Sequence, residues 1–184
     1  MRTARDGADA LREALRAEGG TVAGMLGAPA QAKPHRLDQP GPAQLAAAGP
    51  RARGLEREYE LLLEMILEGY RLHYDEPRVV CPDDPDLALL LGDQLYALGL
   101  ARLAALGDVD AVAELADVIS LVAQAHSASD RDLAHAVWEA GAVAVGWGPS
   151  EGHRRAKERA RAHHPDARDA LRAAAATTGR NPSL

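Results

Sequence analysis

Apolar residues recur at three- and four-residue steps through most of this 184-residue chain. That spacing places them on one face of an α-helix, whereas a half-buried strand needs strict alternation, and no stretch of the sequence alternates. Aromatic residues make up only 3% of the chain and phenylalanine is absent, so the core must be built from Leu, Val and Ala. Alanine and leucine are strong helix formers. We therefore predict an all-α fold, a single helical bundle of about five core helices.

Proline content and charge divide the chain into four segments. We predict an N-terminal helix within residues 1–26, a proline-rich linker over 27–50, a helical core over 51–148 and a basic helical tail over 149–184. The linker holds five prolines, which break helices because proline has no backbone N–H. Residues 51–150 hold 7 basic and 18 acidic side chains, so we expect no nucleic acid as a partner. The basic tail leaves peripheral contact with a membrane surface open.

Targeting and redox features favour the cytoplasm. Cys81 is the only cysteine, which excludes an internal disulfide and fits a reducing compartment. Residues 1–10 carry mixed charge without a following apolar stretch of about ten residues, so we expect no signal peptide. No run of about 18 apolar residues is present, and we expect no transmembrane segment. No histidine and acid partner is evident near Cys81, and we interpret it as incidental.

The helix over residues 51–74 has an apolar face and an acidic face. Its glutamates stand four residues apart (Glu56, Glu60, Glu64 and Glu68). Four like charges at this spacing are more typical of a solvated face or a partner surface than of a cation site. We therefore expect the glutamates to face solvent.

The next helix is the most apolar in the chain. Asp84 followed by Pro85 predicts its start, and it runs to about Leu106. Because it is apolar on most sides, we expect it to be buried centrally or in a subunit interface. Gly92 and Gly99 lie within it, and glycine inside a helix costs about 1 kcal/mol against alanine. We infer that a neighbouring helix approaches closely there.

Motifs of the common catalytic classes are absent from the sequence. There is no GxxxxGK[ST], GxSxG or HExxH motif and no CxxC pair. No two histidines stand four residues apart, the spacing that puts two metal ligands on one helix face. The acids at 83–86 are better explained as a helix N-terminus, where carboxylates favour the positive end of the dipole. We therefore predict no catalytic and no metal-binding residue.

Three consecutive stretches between residues 61 and 124 resemble a known family. LEGYRLHYDEPR ends one helix, LLLGDQLYALGLARLAALGD opens the next, and VAELADVISLVAQ follows. In this order they resemble the front half of the trans-isoprenyl (polyprenyl) diphosphate synthases. In those enzymes a helix ending LxHDDxxD binds diphosphate through Mg²⁺, and a later helix opens with LxGDxL. The resemblance implies a partial isoprenoid-synthase-like helical fold.

The metal-binding motif departs from the family pattern. With His73 at the motif histidine, the three aspartate positions fall on Tyr74, Asp75 and Arg78. One carboxylate then remains, whereas Mg²⁺ needs several oxygen ligands. We therefore interpret His73 and Asp75 as a remnant of the aspartate-rich motif. The chain is more similar to the small, non-catalytic component of two-subunit heptaprenyl diphosphate synthases.

That resemblance implies a regulatory subunit with no prenyl transfer of its own. It would bind a catalytic polyprenyl diphosphate synthase subunit as a heterodimer and help set product length, in the pathway to the menaquinone side chain. No cofactor is expected, and Mg²⁺ would enter only through the partner. The apolar helix would supply the partner interface or remnant site, formed by Leu87, Leu91, Gly92, Asp93, Leu95, Tyr96 and Gly99.

Two further hypotheses stay open. One is a helical scaffold or adaptor unrelated to isoprenoids, whose contact surfaces would be the acidic face over residues 51–74 and the basic tail. The other is a small enzyme or ligand-binding bundle that uses His73, Asp75, Asp93 and His126. Metal-dependent stabilisation of the isolated protein would favour the latter.

Overall fold

The all-α prediction is confirmed by the computed structural model, which describes residues 2–27 and 39–178. Those residues form nine α-helices, a short 3₁₀ helix at Pro50–Ala52 and one isolated bridge between Leu26 and Val80. The α-helices are α1 (Ala4–Glu18), α2 (Gly20–Gly24), α3 (Pro42–Ala47), α4 (Glu56–Tyr74), α5 (Pro85–Ala105), α6 (Val109–Ser127), α7 (Arg131–Trp147), α8 (Glu151–Arg161) and α9 (Ala167–Thr178). Residues 28–38 of the predicted proline-rich linker lie outside the described residues, and α3 falls within its described remainder.

The helices belong to two compact units. Unit 1 comprises Met1–Gln44 and Leu55–Gly107, and unit 2 comprises Leu45–Gly54 and Asp108–Leu184. The boundary after Gly107 falls inside the segment predicted as one helical core. The predicted basic tail forms α8 and α9, and α9 packs on α7 within unit 2.

Local capping chemistry starts α5 where the sequence predicts, whereas the helix predicted over residues 51–74 begins only at Glu56. The Asp84 carboxylate accepts hydrogen bonds from the backbone N–H groups of Asp86 and Leu87, at 2.8 and 2.9 Å, with Pro85 as the first residue of α5. Asp108 caps α6 in the same way. Asp130 caps α7 by accepting from the backbone N–H of Leu133 at 2.9 Å. These bonds satisfy N–H groups that the first helical turn leaves without partners.

In unit 1, α4 and α5 pack against each other through glycine. A Cβ added to Gly92 would lie 2.7 Å from Cδ2 of His73 and 3.1 Å from the carbonyl oxygen of Gly69. One added to Gly99 would lie 2.6 Å from Cγ1 of Ile66. Real Cβ atoms do not pack this tightly. The predicted close approach at Gly92 and Gly99 is confirmed.

The prediction that α5 is buried on most sides is wrong for the chain by itself. Its buried residues are Leu91, Gly92, Leu95, Gly99 and Leu103, which form one face against α4. Leu89 is 45% exposed and Leu90 is 66% exposed. Apolar composition shows that a helix can be buried on any side, but the number of neighbouring helices decides how many sides are covered. Burial in a subunit interface stays a prediction.

Helix α5 is also long and apolar enough to cross a membrane, judged by length and composition alone. Within the described part of the chain it is the one helix that meets this criterion, and 28% of its most apolar stretch is buried. A single helix of this kind is weak evidence, because core helices of soluble proteins meet the same criterion. The expectation of no transmembrane segment stays a prediction.

The helix covered on most sides is α7. Eleven of its 17 residues are buried, nearly all of them Ala, Val or Gly. Helix α6 and helix α9 both pack on it. A Cβ built on Gly146 would lie 2.5 Å from the carbonyl oxygen of Ala46, so the segment at the end of α3 also crosses α7 closely. Because its side chains are small, neighbouring backbones can approach α7 from several directions. Helix α7, and not α5, is therefore the helix that its neighbours surround.

Candidate functional site

Helices α4 and α5 bring four of the predicted site residues together. His73, in the last turn of α4, has its Nε2 atom 3.1 Å from Oδ1 of Asp93 on α5. The His73 ring stacks on the ring of Tyr96, with centroids 5.4 Å apart and 8° between the planes. Gly92 leaves the space that the His73 ring occupies. The predicted motif remnant and the predicted interface residues therefore meet at one place in unit 1.

The His73–Asp93 pair lies at the protein surface. The side chain of Asp93 is 71% exposed and that of His73 is 16% exposed. The pair is a full ion pair only when His73 is protonated. Exposed pairs of this kind contribute about 0–1 kcal/mol to stability. Chemically, the arrangement holds the imidazole in one orientation between a carboxylate and an aromatic ring.

Tyr96 serves this cluster as an apolar ring. Its hydroxyl is buried and finds no hydrogen-bond partner among the described residues. Burial raises the pKa of Tyr96 far above its usual range, and the nearby Tyr74, Tyr70 and Asp93 raise it further. The phenol therefore stays neutral at any pH that the protein experiences.

The residues at the three aspartate positions of the family motif have different roles. The ring of Tyr74 lies beside those of Tyr70 and His73, with centroids 5.7 and 5.6 Å away. Asp75 ends α4 and is exposed. Arg78 donates its backbone N–H to Oε1 of Glu68 at 2.8 Å. Among the described residues no group of three or more His, Cys, Asp or Glu side chains could hold a metal ion.

The other predicted site residues fall into three environments. Leu91, Gly92, Leu95 and Gly99 are buried in the contact with α4. Leu87 and Tyr96 are half-buried. His126, which one hypothesis joined to His73, lies in α6 and belongs to unit 2.

Opposite the α4 contact, α5 presents a surface that we call its outer face. It consists of Asp86, Leu89, Leu90, Asp93, Ala97, Leu100, Ala101 and Ala104, all exposed except the half-buried Leu100. Of these residues only Asp93 was among the predicted site residues. Helical geometry could have found the others, because they lie across the helix from Gly92 and Gly99, the positions that mark close packing.

The glutamate ladder of α4 is buried, so the prediction that it faces solvent is wrong for three of its four members. Glu60 is 4% exposed, Glu64 1% and Glu68 0%, whereas Glu56 is exposed. The side-chain amide of Gln44 donates to Glu60 and Glu64, each at 3.0 Å. These two residues lie 16 and 20 positions from Gln44 along the chain. Helical periodicity carries no information about such partners, so the sequence pattern could not reveal them.

Glu68 anchors the loop that joins α4 to α5. Its Oε1 atom accepts from the backbone N–H groups of Arg78, Val79 and Val80, at 2.8, 2.6 and 3.0 Å. Its Oε2 atom accepts from Arg71 at 3.1 Å. Burial disfavours the charged guanidinium, but Glu64 and Glu68 outweigh that effect and raise the pKa of Arg71. The loop between α4 and α5 is therefore organised around a buried carboxylate that is itself ion-paired with Arg71.

The same loop contains Cys81. Partial burial, together with nearby Glu68, raises the pKa of its thiol. A raised pKa disfavours the thiolate, which is the reactive form of cysteine. This agrees with the interpretation of Cys81 as incidental.

Unit 2 contains a second buried charge cluster, which sequence reasoning missed. Oε1 of Glu114 on α6 lies 2.7 Å from Nε2 of His153, and Oε2 accepts from Lys157 at 2.6 Å. Lys157 also donates to Asp117 at 2.7 Å. Burial would raise the pKa of Glu114, but the contacts with His153 and Lys157 lower it overall. The cluster fixes α8 to α6 through charge.

A shallow crevice adjoins His153. It has no room for a water-sized molecule, and alanines line much of it together with Val143, Ser150 and Thr178. Ser150 is already engaged as the cap of α8, accepting from the His153 backbone at 3.1 Å. Small apolar walls and few polar groups offer little to orient a ligand.

The geometry thus offers a surface pair at His73 and Asp93, two buried charge clusters, and an apolar outer face on α5. Of these, only the outer face presents large apolar side chains to solvent on a regular helix. When the chain is compared with protein-family models, curated proteins and solved structures, none of the three comparisons yields a match.

Proposed function

We propose that this protein is a non-catalytic binding subunit whose partner is the catalytic subunit of a two-component polyprenyl diphosphate synthase. As part of a cytoplasmic heterodimer it would help to set product chain length in the pathway to the menaquinone side chain. Magnesium and diphosphate chemistry would belong to the partner.

The observation that carries this proposal is the exposed apolar surface of α5. Leu89 and Leu90 are 45% and 66% exposed, and exposed alanines follow from Ala97 onward, about two turns further along the same helix. Exposed apolar surface of this kind marks interaction sites in soluble proteins. The sequence LLLGDQLYALGL, which carries the clearest part of the family resemblance, forms this helix. The resemblance and the surface thus favour the same element.

The loop before α5 also supports a non-catalytic role. Arg78, at the last aspartate position of the motif, is tied by its backbone to the buried Glu68. Tyr74, at the first position, packs its ring beside Tyr70 and His73. These positions serve the packing of unit 1, and only Asp75 retains a carboxylate.

Co-purification and a prenyl transfer assay test the proposal. The chain would be co-expressed with a synthase subunit from its own host that carries both aspartate-rich motifs. Products would be followed with labelled isopentenyl diphosphate. We expect no transfer by the chain alone, a stoichiometric complex, and a product length that differs from that of the large subunit alone. Prenyl transfer by the isolated chain, or no complex with any such subunit, would contradict the proposal.

A helical adaptor unrelated to isoprenoids is the second candidate, because the outer face of α5 would serve it equally well. Affinity purification of the tagged protein from its own host separates the two. Stoichiometric recovery of a partner without aspartate-rich motifs would favour the adaptor. Recovery of a polyprenyl synthase subunit would favour the first proposal.

A further inference from the structure

We infer that the outer face of α5 binds an amphipathic helix of a partner protein, and that this helix carries two basic residues seven positions apart. The inference deepens the proposed function and rests on it in one respect, since the partner subunit would supply the helix. It is argued from spacing, exposure and charge on α5.

The outer face has the spacing of a helix-packing seam. Asp86, Leu90, Asp93, Ala97, Leu100 and Ala104 follow one another in alternating steps of four and three residues. This is the spacing of the positions through which one helix contacts another along its length. Each of the six is exposed or half-buried. The pattern therefore continues for nearly the whole of α5 on the side away from α4.

The sizes of the side chains along the outer face favour binding of a helix over binding of a flat surface. Leu89 and Leu90 project two large apolar groups near the start of α5, and both are exposed. Ala97, Ala101 and Ala104 follow toward its end, where small side chains let a second backbone come close. A partner helix could bury its own larger residues over the alanines.

Two carboxylates within the seam determine the charge of the partner. Asp86 and Asp93 stand seven residues apart, and Asp93 is 71% exposed although its Oδ1 atom contacts His73. Covering a carboxylate without an opposite charge is unfavourable, because the ion loses its hydration and gains no partner. Basic residues at matching spacing on the partner would remove that cost.

The charges of the residues around the seam also favour a basic partner. Residues 75–94 contain six acidic side chains and a single arginine, Arg78. A second copy of α5 would bring two more aspartates and no basic residue to the seam in either orientation, so the carboxylates would be covered without an opposite charge. An anionic membrane surface would be repelled by the same field. A basic partner helix is the occupant that both the apolar seam and its charges favour.

Two synthetic peptides of the length of α5 test this inference on the full-length protein. Both carry leucine and alanine at the seam spacing, but one has arginine and the other glutamate at two positions seven apart. Fluorescence anisotropy would give the Kd values, and amide hydrogen exchange would locate binding. We expect the arginine peptide to bind about tenfold more tightly or better, with protection confined to α5.

Variants of the protein sharpen the test. Asp86→Lys combined with Asp93→Lys should reverse the preference, so that the glutamate peptide binds more tightly. Leu90→Ser should weaken both peptides, because it removes the most exposed leucine of the seam. Val109→Ser is the matched control, since Val109 is 67% exposed but lies in α6. That variant should bind both peptides as the wild type does.

Several outcomes would overturn the inference. Equal affinity for the two peptides would do so, as would protection from hydrogen exchange away from α5. A concentration-dependent dimer in sedimentation that Leu90→Ser abolishes would show that a second copy of the chain is the occupant. Binding of α5 to phosphatidylcholine vesicles instead of the peptides would assign it to lipid. A synthase subunit that binds the Leu90→Ser variant normally would overturn the inference but not the proposed function. Binding of the arginine peptide without any complex with a synthase subunit would contradict the proposed function but not the inference.

Discussion

The imidazole of His73 lies parallel to the phenol ring of Tyr96 across the contact between α4 and α5, with 5.4 Å between the ring centroids. Gly92 provides the space for this stack, and Asp93 contacts the imidazole nitrogen at 3.1 Å. The last turn of α4 and the middle of α5 are thereby packed as one structural element. The Tyr96 hydroxyl is buried and has no hydrogen-bond partner among the described residues.

Tyr96→Phe should leave the fold as stable as the wild type or stabilise it by up to about 1 kcal/mol. The substitution removes a buried hydroxyl that makes no hydrogen bond and keeps the ring that stacks on His73. Urea denaturation of both proteins measures the difference. Tyr96→Ala, which removes the ring, should cost about 2–3 kcal/mol. A loss of more than about 1 kcal/mol in Tyr96→Phe would show that the hydroxyl has a partner after all.

Gly92→Ala should destabilise the protein by about 1–3 kcal/mol, although alanine is the better helix former. The added methyl group would lie 2.7 Å from the His73 ring and 3.1 Å from the backbone oxygen of Gly69, and the latter cannot move without shifting α4. Gly24→Ala is the matched control, because nothing lies within 4 Å of its added Cβ. Thermal and urea unfolding would compare the two. Equal stability of both variants would show that α4 and α5 are less closely packed.

Glu68→Gln should lower the free energy of unfolding by about 3 kcal/mol or more. The change leaves Arg71 without its closest carboxylate and weakens the acceptor of three backbone N–H groups in the loop at Arg78, Val79 and Val80. Hydrogen exchange should show those amides losing protection. Glu58→Gln, at an exposed position of the same helix, should change stability by less than about 0.5 kcal/mol. Similar effects of the two substitutions would contradict a structural role for the buried carboxylate.

The free energy of unfolding should decrease as the pH is lowered, because the folded state depends on the ionised carboxylate of Glu114. Its contacts with His153 and Lys157 outweigh burial and hold its pKa below the ordinary value of 4.5. A depressed carboxyl pKa stabilises the folded state above the ordinary value, and that contribution is lost as pH falls through the folded-state pKa. The difference in unfolding free energy between wild type and Glu114→Gln should therefore be largest near neutral pH and shrink below about pH 4.5. A difference independent of pH would argue against the charged pair.

Local signals in the sequence predicted the helices well. The start of α5 follows from Asp84, whose carboxylate accepts from backbone N–H groups two and three residues away. The glycine positions of α5 predicted the close approach of a neighbouring helix, since glycine in a helix has few other uses. His73 and Asp93 were also singled out from sequence. That they touch across 20 positions could be learned only from the packing of α4 on α5.

Predictions failed where the outcome depended on neighbours far along the chain. The glutamates of α4 look like a solvated ladder, yet Glu64 and Glu68 are buried because Gln44, Arg71 and the loop after α4 supply their partners. The apolar α5 looks like the central helix, yet α7 holds a central position within its own unit. Both errors have one origin, since burial depends on what surrounds a helix as well as on what the helix contains.

The sequence by itself determined the all-α class, the start of α5 and the close approach of a neighbouring helix at Gly92 and Gly99. Those properties follow from periodicity, capping and side-chain size, which act between residues a few positions apart. Only the tertiary structure decided that the acidic ladder of α4 is a buried network, that α7 is covered on most sides, and that the outer face of α5 meets solvent. A side chain's free energy depends on the groups that surround it in space, and the chain folds those groups in from distant positions.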